Sequence, residues 1–169
     1  ALHGPITLIT EKVALQGTSV EKLLCQAVAL TNKEALTATF GPNTQFQTFT
    51  ADVQVKEGNA HLNPLRAALT GIALTGEGNL DLLAQEFEIT FNARLSPELE
   101  QVDRACRVSK RLTAIDWPVV CSGSVNGDPA KWCKVDTTAI LTDLTINEGR
   151  EKLEKKAGKL LNKWFNQDD

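Results

Sequence analysis

The sequence predicts an α+β protein that is mainly β, with an antiparallel sheet, one helix on its N-terminal side and a long C-terminal helix. Three patterns carry that prediction. From Phe46 to Leu95 apolar and polar residues alternate with a period of two. Before that stretch, Thr18-Ser19-Val20-Glu21 has the form of a capping box and opens a run with helical spacing. After it, Asp136 precedes an apolar stripe that recurs at helical intervals as far as Trp164.

Taken in order, residues 4–10 (Gly-Pro-Ile-Thr-Leu-Ile-Thr) are rich in β-branched side chains and read as a strand, with 12–16 as a short second one. A helix over about 19–31 follows, on which Val20, Leu23, Leu24, Ala27, Val28 and Leu30 share a face and Cys25 sits beside it. Gly41-Pro42-Asn43 marks a turn. The meander spans about 46–95. In its first strand Phe49, Ala51, Val53 and Val55 alternate with polar neighbours. A second run starts at Ala60 and includes Leu62, with Pro64 as a break or edge signal. In the third, Ile72, Leu74, Leu80 and Leu82 lie on one face, with Gly76 and Gly78 between them. In the fourth, Phe87, Ile89, Phe91, Ala93 and Leu95 alternate with Glu86, Glu88, Thr90, Asn92 and Arg94. Short turns between adjacent runs favour an antiparallel arrangement with one apolar and one solvated face. The two glycines leave gaps on the apolar face, open to a bend, a bulge or the close approach of another chain or ligand.

Pro97 ends the series; 97–110 reads as a short helix or loop bearing Cys106, and 112–124 as another strand through Trp117-Pro118-Val119-Val120-Cys121. The C-terminal helix is expected over about 137–165, roughly 43 Å if continuous, with Gly149 as a point of division. Ile140, Leu141, Leu144, Leu153, Ala157, Leu160, Leu161 and Trp164 form its apolar stripe, broken around Ile146 to Glu151, and Lys152, Lys155, Lys156, Lys159 and Lys163 make its second half basic, diluted by Glu148, Glu151, Glu154 and Asp168. Two readings follow: a stripe packed on the sheet with wet lysines, which the pattern favours, or an amphipathic helix at an anionic membrane surface.

Composition narrows the function. The 169 residues suit one domain, residues 1–169, with 42% apolar residues for a core and a net charge of −3 that argues against a general nucleic-acid binder. The chain has no Met, which marks it as a fragment of a larger protein or a processed product, and no apolar run long enough to span a bilayer, so a membrane anchor is expected outside it. Four cysteines, Cys25, Cys106, Cys121 and Cys133, form no C-x-x-C pair, and His3 and His61 lie far from them. Disulfides are therefore expected rather than a metal site, with four free buried thiols as the alternative. A hairpin near Gly127 would bring Cys121 opposite Cys133, leaving Cys25 for Cys106. Such bridges imply an oxidising compartment such as the periplasm.

No catalytic constellation emerges, and no enzyme is expected. G-x-S-x-G is absent, and Ser122 and Ser124 have no nearby His. Gly76-Glu77-Gly78 lacks a third glycine and lies inside a strand pattern, and Glu86 with Glu88 fits a solvated strand face. No cofactor is indicated.

Four stretches, in order, resemble the C-terminal region of the bacterial AsmA family: Gly17 through Leu30; Leu74-Thr75-Gly76-Glu77-Gly78-Asn79-Leu80-Asp81-Leu82; Trp117-Pro118-Val119-Val120-Cys121-Ser122-Gly123; and Trp132-Cys133-Lys134-Val135-Asp136. The resemblance implies an AsmA/TamB-like envelope protein in the periplasm, tethered to the inner membrane through an upstream segment and concerned with outer-membrane biogenesis and phospholipid transport. It implies a curved sheet forming a lipid-lined groove, with phospholipid or another envelope lipid as ligand and an envelope protein as a further partner. It supplies no catalytic residues. Strand alternation makes Phe49, Val53, Ile72, Leu74, Leu80, Phe87, Ile89 and Phe91 the groove candidates. The alternative is a capping or protein-interaction domain in which helices fill that face.

Overall fold

The structure, a computed structural model, describes residues 4–165. The strands are β1 (Gly4–Glu11), β2 (Ala14–Leu15), β3 (Thr44–Gln45), β4 (Thr48–Lys56), β5 (Asn59–Leu69), β6 (Ile72–Asp81), β7 (Glu86–Leu95), β8 (Trp117–Ser124) and β9 (Cys133–Val135). The α-helices are α1 (Val20–Asn32), α2 (Lys110–Thr113) and α3 (Thr137–Phe165), and 3-10 turns occupy Pro97–Gln101, Arg104–Cys106 and Pro129–Lys131. The fold is α+β: an open, antiparallel seven-stranded sheet in the order β1-β4-β5-β6-β7-β8-β9, with α1 and the long α3. The expected meander forms its centre. Two additions are non-local: β1 returns to the edge beside β4, and β8 and β9 extend the sheet past β7.

Pro64 neither breaks its strand nor marks an edge. It lies in β5, between β4 and β6, at a one-residue bulge: Leu62 pairs with Val53 and Gly78, whereas Leu65 pairs with Ala51 and Gly76. The bulge uses the position where no ladder N–H is available. It also reverses the parity of the strand, so Ala60, Leu62, Leu65 and Ala67 share one face despite the odd step between Leu62 and Leu65. At the β5–β6 turn Gly71 has φ 73°, and an added Cβ would run into the backbone of Leu99.

Helix α1 begins one residue later than the capping-box reading implies. Ser19 is the N-cap and its hydroxyl accepts from the Lys22 N–H (3.2 Å), because the Thr18 hydroxyl donates to the Pro129 carbonyl. Its buried residues are Val20, Leu24, Cys25, Ala27, Val28 and Ala29. Lys33 closes the helix in the left-handed region (φ 57°), and the Asn32 side chain donates to the carbonyls of Ala105 and Arg107, 3.0 Å each. These bonds flank the Cys25–Cys106 disulfide; the second disulfide is Cys121–Cys133, across the directly opposed positions of β8 and β9. The two bridges indicate an oxidising, extracellular or periplasmic environment.

The segment between β7 and β8 supplies the rest of the cover. Leu99, Cys106, Val108, Leu112 and Ile115 are buried in one cluster with α1 and the sheet, and Trp117 Nε1 donates to the Leu112 carbonyl (3.1 Å). Asp103 anchors this segment to the chain that follows α1. Its buried carboxylate accepts from the N–H groups of Ala38 (2.6 Å), Thr37 (2.7 Å) and Ala105 (2.8 Å). Hydrogen bonds from Ala38 and Ala105 above all hold its pKa below the ordinary carboxylate value, against the opposing effect of burial.

The two disulfides close spans of 81 and 12 residues. In the chain-entropy model they are worth about 4.5 and about 3 kcal/mol respectively. A Cys25→Ala/Cys106→Ala variant is therefore expected to lose more stability in urea unfolding than Cys121→Ala/Cys133→Ala; the reverse order would mean that α1 is not the element the bridges chiefly secure. Asp103 gives a pH signature. Its lowered folded pKa contributes stability above the unfolded value of about 3.9, lost as pH falls through the folded value. Asp103→Asn is expected to lower the urea midpoint at pH 6, with the gap to wild type narrowing towards pH 2; a gap independent of pH would contradict this.

Candidate functional site

The register sets the rows of the apolar face. One row runs Leu8, Ala51, Leu65, Gly76, Phe91 and Val119; another runs Thr10, Phe49, Ala67, Leu74, Ala93 and Trp117. These rows lie towards the end of the sheet covered by α1 and residues 96–116, and Leu65, Leu74, Phe91, Ala93, Trp117 and Val119 are buried there. Nearer the β4–β5 and β6–β7 turns, the next row runs Ile6, Val53, Leu62, Gly78, Ile89 and Cys121, and the last Gly4, Val55, Ala60, Leu80, Phe87 and Gly123. Here Val53, Val55, Leu62, Leu80, Phe87 and Ile89 are only half-buried, and Ile6 is 54% exposed.

The apolar face is thus divided. Of the eight candidates, Ile72, Leu74 and Phe91 belong to the filled core. Phe49 is half-buried against Phe46, ring centroids 5.8 Å apart, at the covered end. Val53, Leu80, Phe87 and Ile89 line the open strip, joined by Leu62 and Val55 and by Ile6 at the β1 edge, with Leu8 (43% exposed) on the adjoining row. Filled positions are therefore unsuited to contact a ligand, and the strip is the candidate site.

The glycines on this face accommodate β7. A Cβ at Gly78 would lie 2.7 Å from Ile89 Cγ1, and one at Gly76 would meet the Thr90 carbonyl. The missing side chains let the strands approach and let Ile89 and Phe91 lean over the gaps. At the β8–β9 side the strip is bounded by Trp132, which stands edge-on to Phe87 at 5.1 Å and packs over Gly123. At the β1 side it is bordered by a shallow cleft of about 310 Å³ lined by Gly4, Pro5, Gln54, Val55 and Lys56.

The opposite face is polar and wet. Thr7 donates to Asp52 (2.9 Å), Asn63 to Glu77 (3.1 Å), and His61 Nδ1 lies 2.7 Å from Asn79 Oδ1. Glu86 and Glu88 are exposed. His3 lies outside the described residues. Among the described residues no group of three or more His, Cys, Asp or Glu side chains is arranged to hold a metal ion, and no helix is long and apolar enough to cross a membrane.

Five strands contribute side chains to the strip, β1 and β4 to β7, so it extends about 19 Å across four strand spacings. It is two side-chain rows wide. It contains no charged group in either row.

Comparison of the chain with protein-family models, with curated proteins and with solved structures finds no match in any of the three.

Proposed function

We propose that this chain is a non-catalytic, periplasmic, AsmA-family lipid-handling domain, and that the open strip binds the acyl chains of a phospholipid. The observation that carries the reading is the half-buried row of Val53, Leu62 and Ile89, continued by the exposed Ile6. Each methylene transferred from water to such a surface gains about 0.8 kcal/mol, so a long chain covering it is bound by area alone. The absence of charge along the rows leaves a headgroup outside the strip, at the turn end or beyond the β1 edge. In this reading the domain belongs to a larger envelope protein tethered to the inner membrane, and serves phospholipid movement in outer-membrane biogenesis.

The filled rows support a second reading, a capping domain that docks on an envelope protein. Leu65, Leu74, Phe91 and Val119 have no room for a ligand beside them, so the covered end would close a groove rather than extend it. The readings differ in whether the strip takes up lipid.

Protein purified from cells is expected to carry phospholipid in native mass spectrometry, and delipidated protein to take up a fluorescent phospholipid. Ile6→Asp with Leu8→Asp should reduce uptake about tenfold through loss of apolar burial, while Ile9→Asp, exposed on the opposite face of β1, should leave it unchanged. Lipid-free protein with no uptake would overturn the groove and favour the cap.

A further inference from the structure

Helix α3 does not present one continuous apolar stripe. Ile140 and Leu144 are buried against the body, and the Arg111–Glu148 ion pair ties the helix near its middle. From residue 149 to 159 every position is exposed. This departs from the packing expected of the second half, and the helical phase explains it. At 3.6 residues per turn, Ile146, Leu153 and Ala157 cluster within roughly 40° of one another, but roughly 140° round the helix from Ile140 and Leu144. A straight helix cannot bury both sets on one surface. With the first set docked, the second faces away from that contact: Ile146 is 54% and Leu153 69% exposed. The sequence extends this second phase with Leu160, Leu161 and Trp164, whose side chains lie outside the described ones, as do those of Lys163 and Asp168.

The charges are also sorted. Lys152, Lys155, Lys156 and Lys159 fall within roughly 100° of one another, and all are exposed. Lys156 is on the shoulder of the apolar stripe and Arg150 is at its other margin. Glu151 and Glu154 occupy the remaining sector, and Glu148 is paired with Arg111. Five basic against three acidic side chains leave 146–159 positive in a chain whose net charge is −3.

We propose that the projecting half of α3 is a membrane-surface helix that lies on an anionic lipid bilayer, its Ile146–Leu153–Ala157 stripe in the acyl boundary, with Arg150 on one flank and Lys156 and Lys152 on the other at the headgroups. Apolar burial and lysine attraction act together there, and the long lysine stems reach the headgroup layer while the stripe stays inserted. A second copy of the helix fits the charges less well. A parallel pair would set Arg150 against its own copy in the seam, and an antiparallel pair would bring the Lys156-bearing flanks together. From residue 149 to 165 the helix reaches about 25 Å, enough for several turns to lie flat. The proposal does not depend on the strip.

The test is flotation of the whole, disulfide-bonded chain with phosphatidylcholine vesicles containing or lacking phosphatidylglycerol. Binding is expected to the anionic vesicles and to weaken with salt. Lys152→Gln with Lys156→Gln should lower the partition coefficient about tenfold, and Ile146→Glu with Leu153→Glu by at least as much. The substituted residues are exposed, so circular dichroism and urea midpoints should match wild type; should the stripe variant not fold, the lysine variant and the salt dependence still decide. Ile6→Asp, which impairs the strip, should leave flotation unchanged. Equal binding to neutral and anionic vesicles, no binding to either, or a dimer that the stripe substitutions dissociate would overturn the proposal.

Discussion

The side-chain parity of the sheet organises everything else. Each strand puts alternate residues on the same face only while its neighbours stay in register, and a slip of one residue would turn apolar rows into water. The register holds from β1 to β8, even through Pro64, because the bulge at Asn63–Pro64 absorbs the extra residue in β5 and restores the parity beyond it. One face is consequently apolar across the sheet, and the amount of cover placed on it decides what each part does.

That cover is limited. Helix α1 has 13 residues, and the segment between β7 and β8 is folded into short turns. Cys25–Cys106, the Asn32 side chain and the Asp103 carboxylate fasten these pieces to one another. They form a compact lid over the rows containing Leu74 and Phe91. Helix α3 adds Ile140 and Leu144 to the lid and then leaves it. The rows through Val53, Leu62, Ile89, Leu80 and Phe87 receive only partial cover, with Trp132 at one side. The same lid thus makes a stable core at one end and leaves an open apolar strip at the other.

Much of the fold was legible in the sequence, because it rests on local periodicity. The β4–β7 strands follow from alternation, α1 from its apolar spacing, and the β8–β9 bridge from a turn-rich stretch between Cys121 and Cys133. What escaped depends on distant partners. The capping register of α1 shifts because Thr18 is engaged by Pro129, 111 residues away. Pro64 looked like an edge because the bulge is a property of three paired strands. In α3 the sequence shows the stripe broken around Ile146 to Glu151, but only the helical phase shows that its two parts face different ways. Half of the groove candidates proved to be core or its margin, since alternation identifies a face but not its cover. Of the residues on the open strip and its margin, Ile6, Leu8, Val55 and Leu62 were not among the candidates. Ile6 and Leu8 carry the alternating signal, but nothing local reveals that β1 docks beside β4.

The central claim is that one parity of the central strands faces lipid while the other faces water. It can be tested by placing a photoreactive amino acid at Val53 or at its neighbour Gln54 in protein made in cells, irradiating, and identifying adducts by mass spectrometry. The account predicts phospholipid adducts at position 53 and none at position 54. Equal labelling at both positions, or no lipid adduct at 53, would contradict it.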